Sequence, residues 1–152
     1  KGWDSDWGKF FVNYRLRPQL IKASAWGVKA NDYEDILIYL SSYLNNHNPK
    51  VSLVHGDLWS GNCGNNENGL GSLYDPACYW ADREVDISMT KLFGGFNKEF
   101  YNGYEEIWPL DKFSTDRTEI YNLYHLLNHA NMFGGSYKET SLKILKCLRS
   151  RY

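Results

Sequence analysis

The sequence has 152 residues, of which 43% are apolar and 23% are charged, so its composition is that of one globular domain and excludes a disordered or fibrous chain. Its 17 Lys and Arg residues against 18 Asp and Glu residues give a net charge of −1, which argues against nucleic acid as a partner. Aromatic residues are frequent at 16%, enough to form a large apolar core.

Membrane spans, a signal peptide and patterned cysteines are the sequence features that indicate the compartment of a protein. No apolar run approaches the roughly 20 residues of a membrane span, and the segment from Lys1 to Trp7 lacks the apolar core of a signal peptide. Cys63, Cys78 and Cys147 are widely spaced and do not have the spacing of metal ligands. We therefore expect a cytoplasmic protein with reduced thiols and no membrane partner.

Helical periodicity dominates the first third of the chain. Apolar residues recur at steps of three and four from Trp7 to Leu20, which predicts a helix that Pro18 disturbs. Asn31-Asp32 predicts the N-cap of a second helix, and the run from Asn45 to Pro49 ends it. The apolar face of this second helix contains Ile36, Leu37, Leu40, Tyr43 and Leu44.

The middle of the chain differs, because short apolar runs alternate there with polar loops. Val51–Val54 and Leu70–Tyr74 predict two strands that form a β-hairpin, with a polar cluster at its open end. After Asp82 the pattern predicts helices at about 84–94, 97–107, 115–133 and 137–150. The predicted fold class is therefore mainly α with one small β-hairpin.

Three polar residues of the hairpin have the spacing of a phosphoryl-transfer site. Asn62 follows Asp57 by five residues, and Asp75 follows Asp57 by eighteen. Transfer of a phosphoryl group to a hydroxyl needs a carboxylate that accepts the proton and oxygen ligands that hold Mg²⁺. The kinase catalytic loop places its base Asp and its metal-binding Asn at the same five-residue separation. A single Asp or Asn in a loop is usually a turn former, but three at these spacings favour catalysis.

The loop His55–Asn62, which reads HGDLWSGN, resembles the signature of the fructosamine kinase (ketosamine-3-kinase) family. This family is related to the aminoglycoside phosphotransferases and shares the protein-kinase-like fold. The resemblance covers most of the chain, through residues 10–11, 15–20, 75–79, 83–86, 92–96, 124–129 and 133–137. It implies that residues 1–152 form the mainly α C-terminal lobe, without the N-terminal lobe that clamps ATP, and we expect this chain alone to be inactive.

The resemblance also implies roles for individual residues. Asp57 would be the catalytic base, and Asn62 and Asp75 would bind Mg²⁺ beneath ATP. Trp59, Trp80 and Glu84 are candidates for contact with the substrate, with simple packing as the alternative. The implied reaction transfers the γ-phosphate of ATP to the 3-hydroxyl of a ketoamine, free or on a glycated lysine of a protein, and leads to deglycation as a form of protein repair.

Two other functions remain open at this stage. One is a small-molecule phosphotransferase that acts on an aminoglycoside or an amino alcohol. The other is a pseudokinase or binding remnant without catalysis, although the presence of all three proposed catalytic residues argues against it.

Four further polar residues are expected to have structural roles. His55 is expected to hold the loop through hydrogen bonds to the backbone, and Asp86 to cap or brace it. His125 and His129 lie one helical turn apart and are expected to pack within a helix.

Overall fold

The computed structural model of the protein describes residues 4–152 and shows a mainly helical chain with two small pairs of strands. Its helices are α1 (Trp7–Phe11), α2 (Arg17–Ala23), α3 (Glu34–His47), α4 (Glu84–Leu92), α5 (Lys98–Ile107), α6 (Ser114–Phe133) and α7 (Ser136–Arg151). Its strands are β1 (Val51–Val54), β2 (Cys63–Asn65), β3 (Gly71–Leu73) and β4 (Tyr79–Asp82). Within the described range, no helix combines the length and the apolar character that crossing a membrane requires. The predicted fold class, mainly α with little β-structure, is confirmed.

Contacts divide the chain into two compact units. The helical unit contains Lys1–Pro49 and Leu123–Tyr152, and the site unit contains Lys50–Asn122. All six candidate catalytic, metal-binding and substrate-contacting residues named above belong to the site unit.

The first helical segment is continuous from Trp7 to Ala23, as predicted, but it is irregular. A π-helical turn over Val12–Leu16 connects α1 to α2, and Pro18 lies in the first turn of α2. In a regular α-helix the ring of Pro18 would collide with the carbonyl group four residues earlier, and the wider π-turn lies where that collision would occur. The disturbance expected at Pro18 is therefore confirmed.

Helix α1 packs closely against α3. Gly8 is buried at this contact, where an added Cβ would lie 2.8 Å from the carbonyl carbon of Ser41, so only glycine allows the approach. The Gly8 N–H donates to the Asn45 side chain at 2.6 Å. Around this contact the core of the helical unit is formed by Phe11, Leu16, Leu20, Leu37, Leu40 and Leu44, all of them at most 2% exposed.

The predicted N-cap of the second helix is wrong. Asn31 and Asp32 lie in a 3₁₀ turn over Ala30–Tyr33, and α3 begins only at Glu34 without a side-chain cap. Glu34 and Asp35 instead place two negative charges in the first turn, where they stabilise the positive end of the helix dipole. The helix ends as predicted, because Asn48 adopts a left-handed conformation (φ 47°) directly before Pro49.

The predicted hairpin is also wrong in its pairing. Strand β1 pairs antiparallel with β4, with Val51 opposite Asp82, whereas β2 pairs with β3, with Cys63 opposite Leu73. The short turn between β2 and β3 makes that pairing local, and the Asn66 side chain closes it by accepting from the Leu70 N–H at 2.9 Å. Strand β1 therefore pairs with a later strand that the sequence analysis did not predict.

The helices of the site unit follow the prediction to within a few residues. Helix α4 starts directly after β4 and buries Val85, Ile87 and Met89. The Tyr121 hydroxyl donates to Asp82 at 2.6 Å, and both side chains are buried. This hydrogen bond fixes the end of β4, from which α4 begins, against α6 within the site unit.

Candidate active site

The loop between β1 and β2 brings Asp57 and Asn62 into contact. The Asn62 side-chain nitrogen donates to the Asp57 carboxylate at 3.0 Å and to the Asp57 main-chain carbonyl at 2.9 Å. Asn62 is 8% exposed and Asp57 is half-buried. Because the amide nitrogen faces Asp57, the amide oxygen of Asn62 is left to act as a ligand. The five-residue spacing thus places a carboxylate and an amide oxygen in one small site.

Asp75 is connected to this pair through the backbone of the residue that precedes it. The Tyr74 N–H donates to the Asn62 main-chain carbonyl at 3.1 Å, so the residue that precedes Asp75 is bonded to the Asn62 backbone. Asp75 is exposed and adopts a left-handed conformation (φ 53°), which is rare for residues other than glycine and is concentrated at functional sites. Within residues 4–152 its carboxylate has no hydrogen bond or ion pair, so it is available to a ligand.

These donors fit a magnesium ion. Mg²⁺ prefers hard oxygen ligands and keeps several waters, and it is commonly held by one or two carboxylates together with phosphate oxygens. The amide oxygen of Asn62 and the unpaired carboxylate of Asp75 provide that type of donor. The residues present therefore suit the metal that the resemblance implies.

His55 connects the two segments of the site. Its Nε2 lies 3.0 Å from the Tyr74 carbonyl, and its Nδ1 accepts from the Asp57 N–H at 3.3 Å. Because Nδ1 acts as the acceptor, the proton of the neutral ring belongs on Nε2, which donates to Tyr74. The His55 carbonyl also accepts from the Ala77 N–H at 2.8 Å. The expectation that His55 holds the loop through backbone hydrogen bonds is confirmed.

Asp86 braces the start of the same loop from α4. Its two carboxylate oxygens accept from the N–H groups of His55 at 2.7 Å and of Gly56 at 2.9 Å. Burial raises the pKa of Asp86 from its ordinary value, and the two backbone hydrogen bonds act in the opposite direction. Gly56 adopts φ 81°, and a Cβ there would lie 2.9 Å from the Ala77 carbonyl carbon, so this position requires glycine. The expected role of Asp86 as a brace is confirmed.

Glu84 is buried and paired inside the fold, which favours the packing alternative over contact with the substrate. It is 4% exposed, and its two carboxylate oxygens accept from the Arg117 guanidinium at 2.7 Å each. Asp111 binds the same guanidinium at 2.7 Å. Burial lowers the pKa of Arg117, but the hydrogen bonds and the attraction of Glu84 and Asp111 outweigh it and raise the pKa above its usual value. The Glu84 charge is therefore already compensated inside the fold.

The two tryptophan candidates lie in different places. Trp59 belongs to the loop of Asp57 and Asn62, and its half-buried ring meets Phe93 edge-to-face with the ring centres 5.9 Å apart. Trp80 lies on β4 opposite Leu53, and both side chains are more than half exposed. Trp59 is thus part of the candidate site, whereas no described contact connects Trp80 to it.

His125 and His129 belong to the helical unit and pack within α6. His125 is 4% exposed, and its carbonyl accepts a hydrogen bond from Nδ1 of His129 at 2.8 Å. Burial lowers the pKa of His125 to about 3, with smaller contributions from His129 and Arg15, so its ring is neutral. These contacts agree with the packing role expected from the sequence.

Three contributors to the site region were missed by sequence reasoning. Tyr74 and Ala77 act through their backbone groups, which carry no signal in residue type. Arg117 balances Glu84, but it lies on a different helix, so no local pattern connects the two.

Comparisons with known proteins show the family of this chain. The model of the family described as fructosamine kinase matches residues 1–150. The "Probable ketoamine kinase" of Vibrio vulnificus (strain CMCP6) is 52% identical over 142 residues, which cover 93% of this chain and 49% of the relative. The "Probable ketoamine kinase" of Vibrio cholerae serotype O1 is 45% identical over 148 residues, which cover 97% of this chain and 51% of the relative.

A solved structure shows the same similarity. The crystal structure of a protein assigned as a fructosamine-3-kinase, from Haemophilus somnus 129PT, superposes with a TM-score of 0.85 at 34% identity and covers 97% of this chain and 50% of that chain. The chain thus spans about half the length of the relatives it matches, and its fold is kinase-like. Because the family model matches residues 1–150, the chain belongs to the fructosamine kinase family.

Proposed function

We propose that this chain carries the catalytic base and the metal-binding residues of an ATP-dependent ketoamine kinase. The observation that carries the proposal is the contact of Asn62 with Asp57, with Asp75 bonded through Tyr74 to the Asn62 backbone. The proposed reaction transfers the γ-phosphate of ATP to the 3-hydroxyl of a ketoamine such as a fructosamine on lysine. The names of the relatives, which are ketoamine and fructosamine-3-kinases, support this substrate class.

Each residue has a separate task in the proposed reaction. The Asp57 carboxylate orients the acceptor hydroxyl and accepts its proton, while the Asn62 amide holds that carboxylate in one orientation. Asn62 and Asp75 would hold the magnesium ion that accompanies ATP, and this ion supplies positive charge against the phosphate oxygens. His55 and Asp86 fix the main chain from which Asp57 extends, so the base keeps its position during turnover.

We further propose that residues 1–152 form a C-terminal lobe and that ATP is clamped by a second lobe. The relatives are about twice as long as this chain, which supports the proposal. Transfer of a phosphoryl group depends on positioning and on charge stabilisation, and Asp57, Asn62 and Asp75 supply only one side of such a site. In the cell the expected role is removal of sugar adducts from amines and proteins, in the cytoplasm.

The test is an ATP-consumption assay with the full-length protein that carries this sequence. Fructose-lysine, ribulose-lysine and an aminoglycoside are compared side by side at saturating Mg²⁺-ATP. We expect turnover with a ketoamine and none with the aminoglycoside. Turnover with the aminoglycoside alone would instead establish the small-molecule phosphotransferase, and no turnover with any acceptor would favour a binding remnant.

A further inference from the structure

Gly61 lies directly beneath the indole ring of Trp59. A Cβ added to Gly61 would come within 2.6 Å of Trp59 Cζ3 and closer still to Cζ2 and Cη2. Non-bonded carbon atoms lie about 3.5–4.0 Å apart at their optimal separation, so any side chain at position 61 would have to displace either the indole or the backbone. The backbone of Gly61 does not have a positive φ. Glycine is therefore needed at position 61 for the space that it leaves to the indole.

The backbone around Gly61 is held more firmly than the ring above it. The Asn62 N–H donates to the Trp59 carbonyl at 2.9 Å, which closes a 3₁₀ turn over Ser60–Asn62. Two hydrogen bonds to Asp57 fix the Asn62 side chain, and the Tyr74 N–H binds the Asn62 carbonyl. The far edge of the Trp59 indole, in contrast, is the end of a side chain. A Cβ at position 61 would therefore move the indole and leave Asn62 in place.

Phe93 limits the ring from a second direction. It follows the last residue of α4 and meets Trp59 edge-to-face, with an angle of 73° between the ring planes. The indole is thus confined by Gly61 and by Phe93, and its remaining surface is partly exposed two residues after Asp57. This arrangement holds a large flat ring in one orientation, on a residue two positions after the proposed base.

We propose that Gly61 is a positioning residue that determines acceptor specificity through Trp59, an inference that rests on the proposed kinase function. Because Gly61 has no side chain, the indole can lie directly over the loop backbone. The acceptor sugar then has access to Asp57, and the exposed part of the indole packs against the sugar's carbon-bound hydrogens. A displaced indole would occupy space that the acceptor needs, whereas the metal ligands would stay where they are.

The test substitutes Gly61→Ala in the full-length protein that carries this sequence. We expect the KM for fructose-lysine to rise about tenfold or more, because the displaced indole would occupy space that the acceptor needs; tenfold corresponds to about 1.4 kcal/mol of lost binding. The Mg²⁺ concentration for half-maximal activity should stay within about twofold, because the contacts of Asn62 are retained. A general loss of stability would not raise the KM for fructose-lysine while leaving the Mg²⁺ requirement unchanged.

Gly64→Ala provides a matched control three residues further along. A Cβ at Gly64 would meet the Tyr74 ring at 3.7 Å, an ordinary contact, and Gly64 also lacks a positive φ. The same chemical change therefore carries no steric conflict at this position. We expect its KM and Mg²⁺ dependence to stay within about twofold of the unchanged protein.

A double-mutant cycle keeps the test decisive if Gly61→Ala folds poorly. Phenylalanine lacks the outer indole ring that contains the conflicting atoms, so Trp59→Phe should relieve the conflict. Relative to Trp59→Phe alone, we expect the added Gly61→Ala to change the ketoamine KM by no more than about twofold. An equally large effect of Gly61→Ala with and without the indole would overturn the inference.

A spectroscopic measurement on the 152-residue chain separates this inference from the proposed function. The Trp59 indole N–H resonance, assigned by its loss in Trp59→Phe, should shift in Gly61→Ala and stay in place in Gly64→Ala. An unshifted resonance in Gly61→Ala, or a raised Mg²⁺ requirement at unchanged KM, would overturn the positioning role. Absence of ketoamine turnover in the unchanged protein would count against the proposed function and would overturn the role of Gly61 in acceptor specificity. The Trp59 indole N–H resonance would still decide whether Gly61 positions the indole.

Discussion

Glu84→Gln should destabilise the fold strongly, because Glu84 is one half of a buried ion pair. The substitution keeps the size of the side chain and removes its charge. Two hydrogen bonds of 2.7 Å join Glu84 to Arg117, and the two side chains are 5% and 3% exposed. Removal of one partner from a buried pair typically costs about 3–5 kcal/mol, because the other charge stays buried without compensation.

Asp111 moderates this loss, because it remains bound to Arg117 in the variant. Its side chain is 46% exposed, so it compensates the guanidinium less effectively than Glu84 does. We therefore expect a loss at the lower end of the range, about 3 kcal/mol in the free energy of unfolding, or roughly 6–12 °C in Tm for a chain of this size. Asp111→Asn should cost less than Glu84→Gln, in keeping with its exposure.

The assay is urea denaturation of the chain, followed by circular dichroism at neutral pH. Glu106→Gln is a suitable control, since it makes the same chemical change on an exposed face of α5. A loss below about 1 kcal/mol for Glu84→Gln, together with a raised ketoamine KM, would refute the buried-pair reasoning and restore Glu84 as a substrate contact.

The other predictions concern the base, the metal ligands and a buried histidine. Asp57→Asn should lower kcat by about 10²–10⁴-fold with an unchanged circular dichroism spectrum, and retention of more than a tenth of the activity would contradict its role as base. A raised Mg²⁺ concentration should partly restore the activity of Asn62→Ala but hardly that of Asp75→Ala, because only the carboxylate neutralises the cation. Equal recovery of the two variants would contradict the view that Asp75 matters more than Asn62 for Mg²⁺. His125, with its pKa lowered to about 3, binds its proton only in the unfolded state between pH 6.5 and 3, so stability should fall by about 1.4 kcal/mol per pH unit as the pH drops through that window. Urea denaturation at several pH values checks this, and His125→Gln should flatten the dependence; an equally steep fall in the variant would place the titration elsewhere.

The sequence predicted that Asp57 and Asn62 belong to one site because the two residues share one short loop. A separation of five residues leaves the chain few ways to keep them apart, and the polar loop after β1 marks the place. The helix limits after Asp82 could be predicted for a similar reason, since glycine and proline interrupt the apolar periodicity there. Local patterns of this kind are present in the sequence itself.

The pairing of β1 could not be predicted in the same way. A four-residue strand has an apolar pattern that fits several partners, and the pattern does not specify which one. Proximity in sequence favours Leu70–Tyr74 as the partner of β1, but this segment pairs with β2 through the intervening turn. The true partner, Tyr79–Asp82, has only four residues. Its two aromatic residues favour a strand, but Ala81 and Asp82 do not, so it does not form the apolar run by which the other strands were predicted.

Glu84 shows a second limit of sequence reasoning. A glutamate close to a catalytic motif suggests contact with substrate, but its environment depends on Arg117, 33 residues later in the chain. Only the packing of α4 against α6 within the site unit brings the two together. Charge compensation over such a distance is a tertiary property, and residue type alone does not reveal it.

The hydrogen bonds that assemble the candidate site have a consequence for folding. Tyr74 binds Asn62 across 12 positions, Ala77 binds His55 across 22, and Asp86 binds His55 across 31. The entropy of loop closure grows only with the logarithm of loop length, so each doubling of the loop adds only about 0.6 kcal/mol to the cost of closing it. All of these hydrogen bonds join residues within 55–86, so the geometry of the candidate catalytic loop depends on one continuous stretch of the site unit.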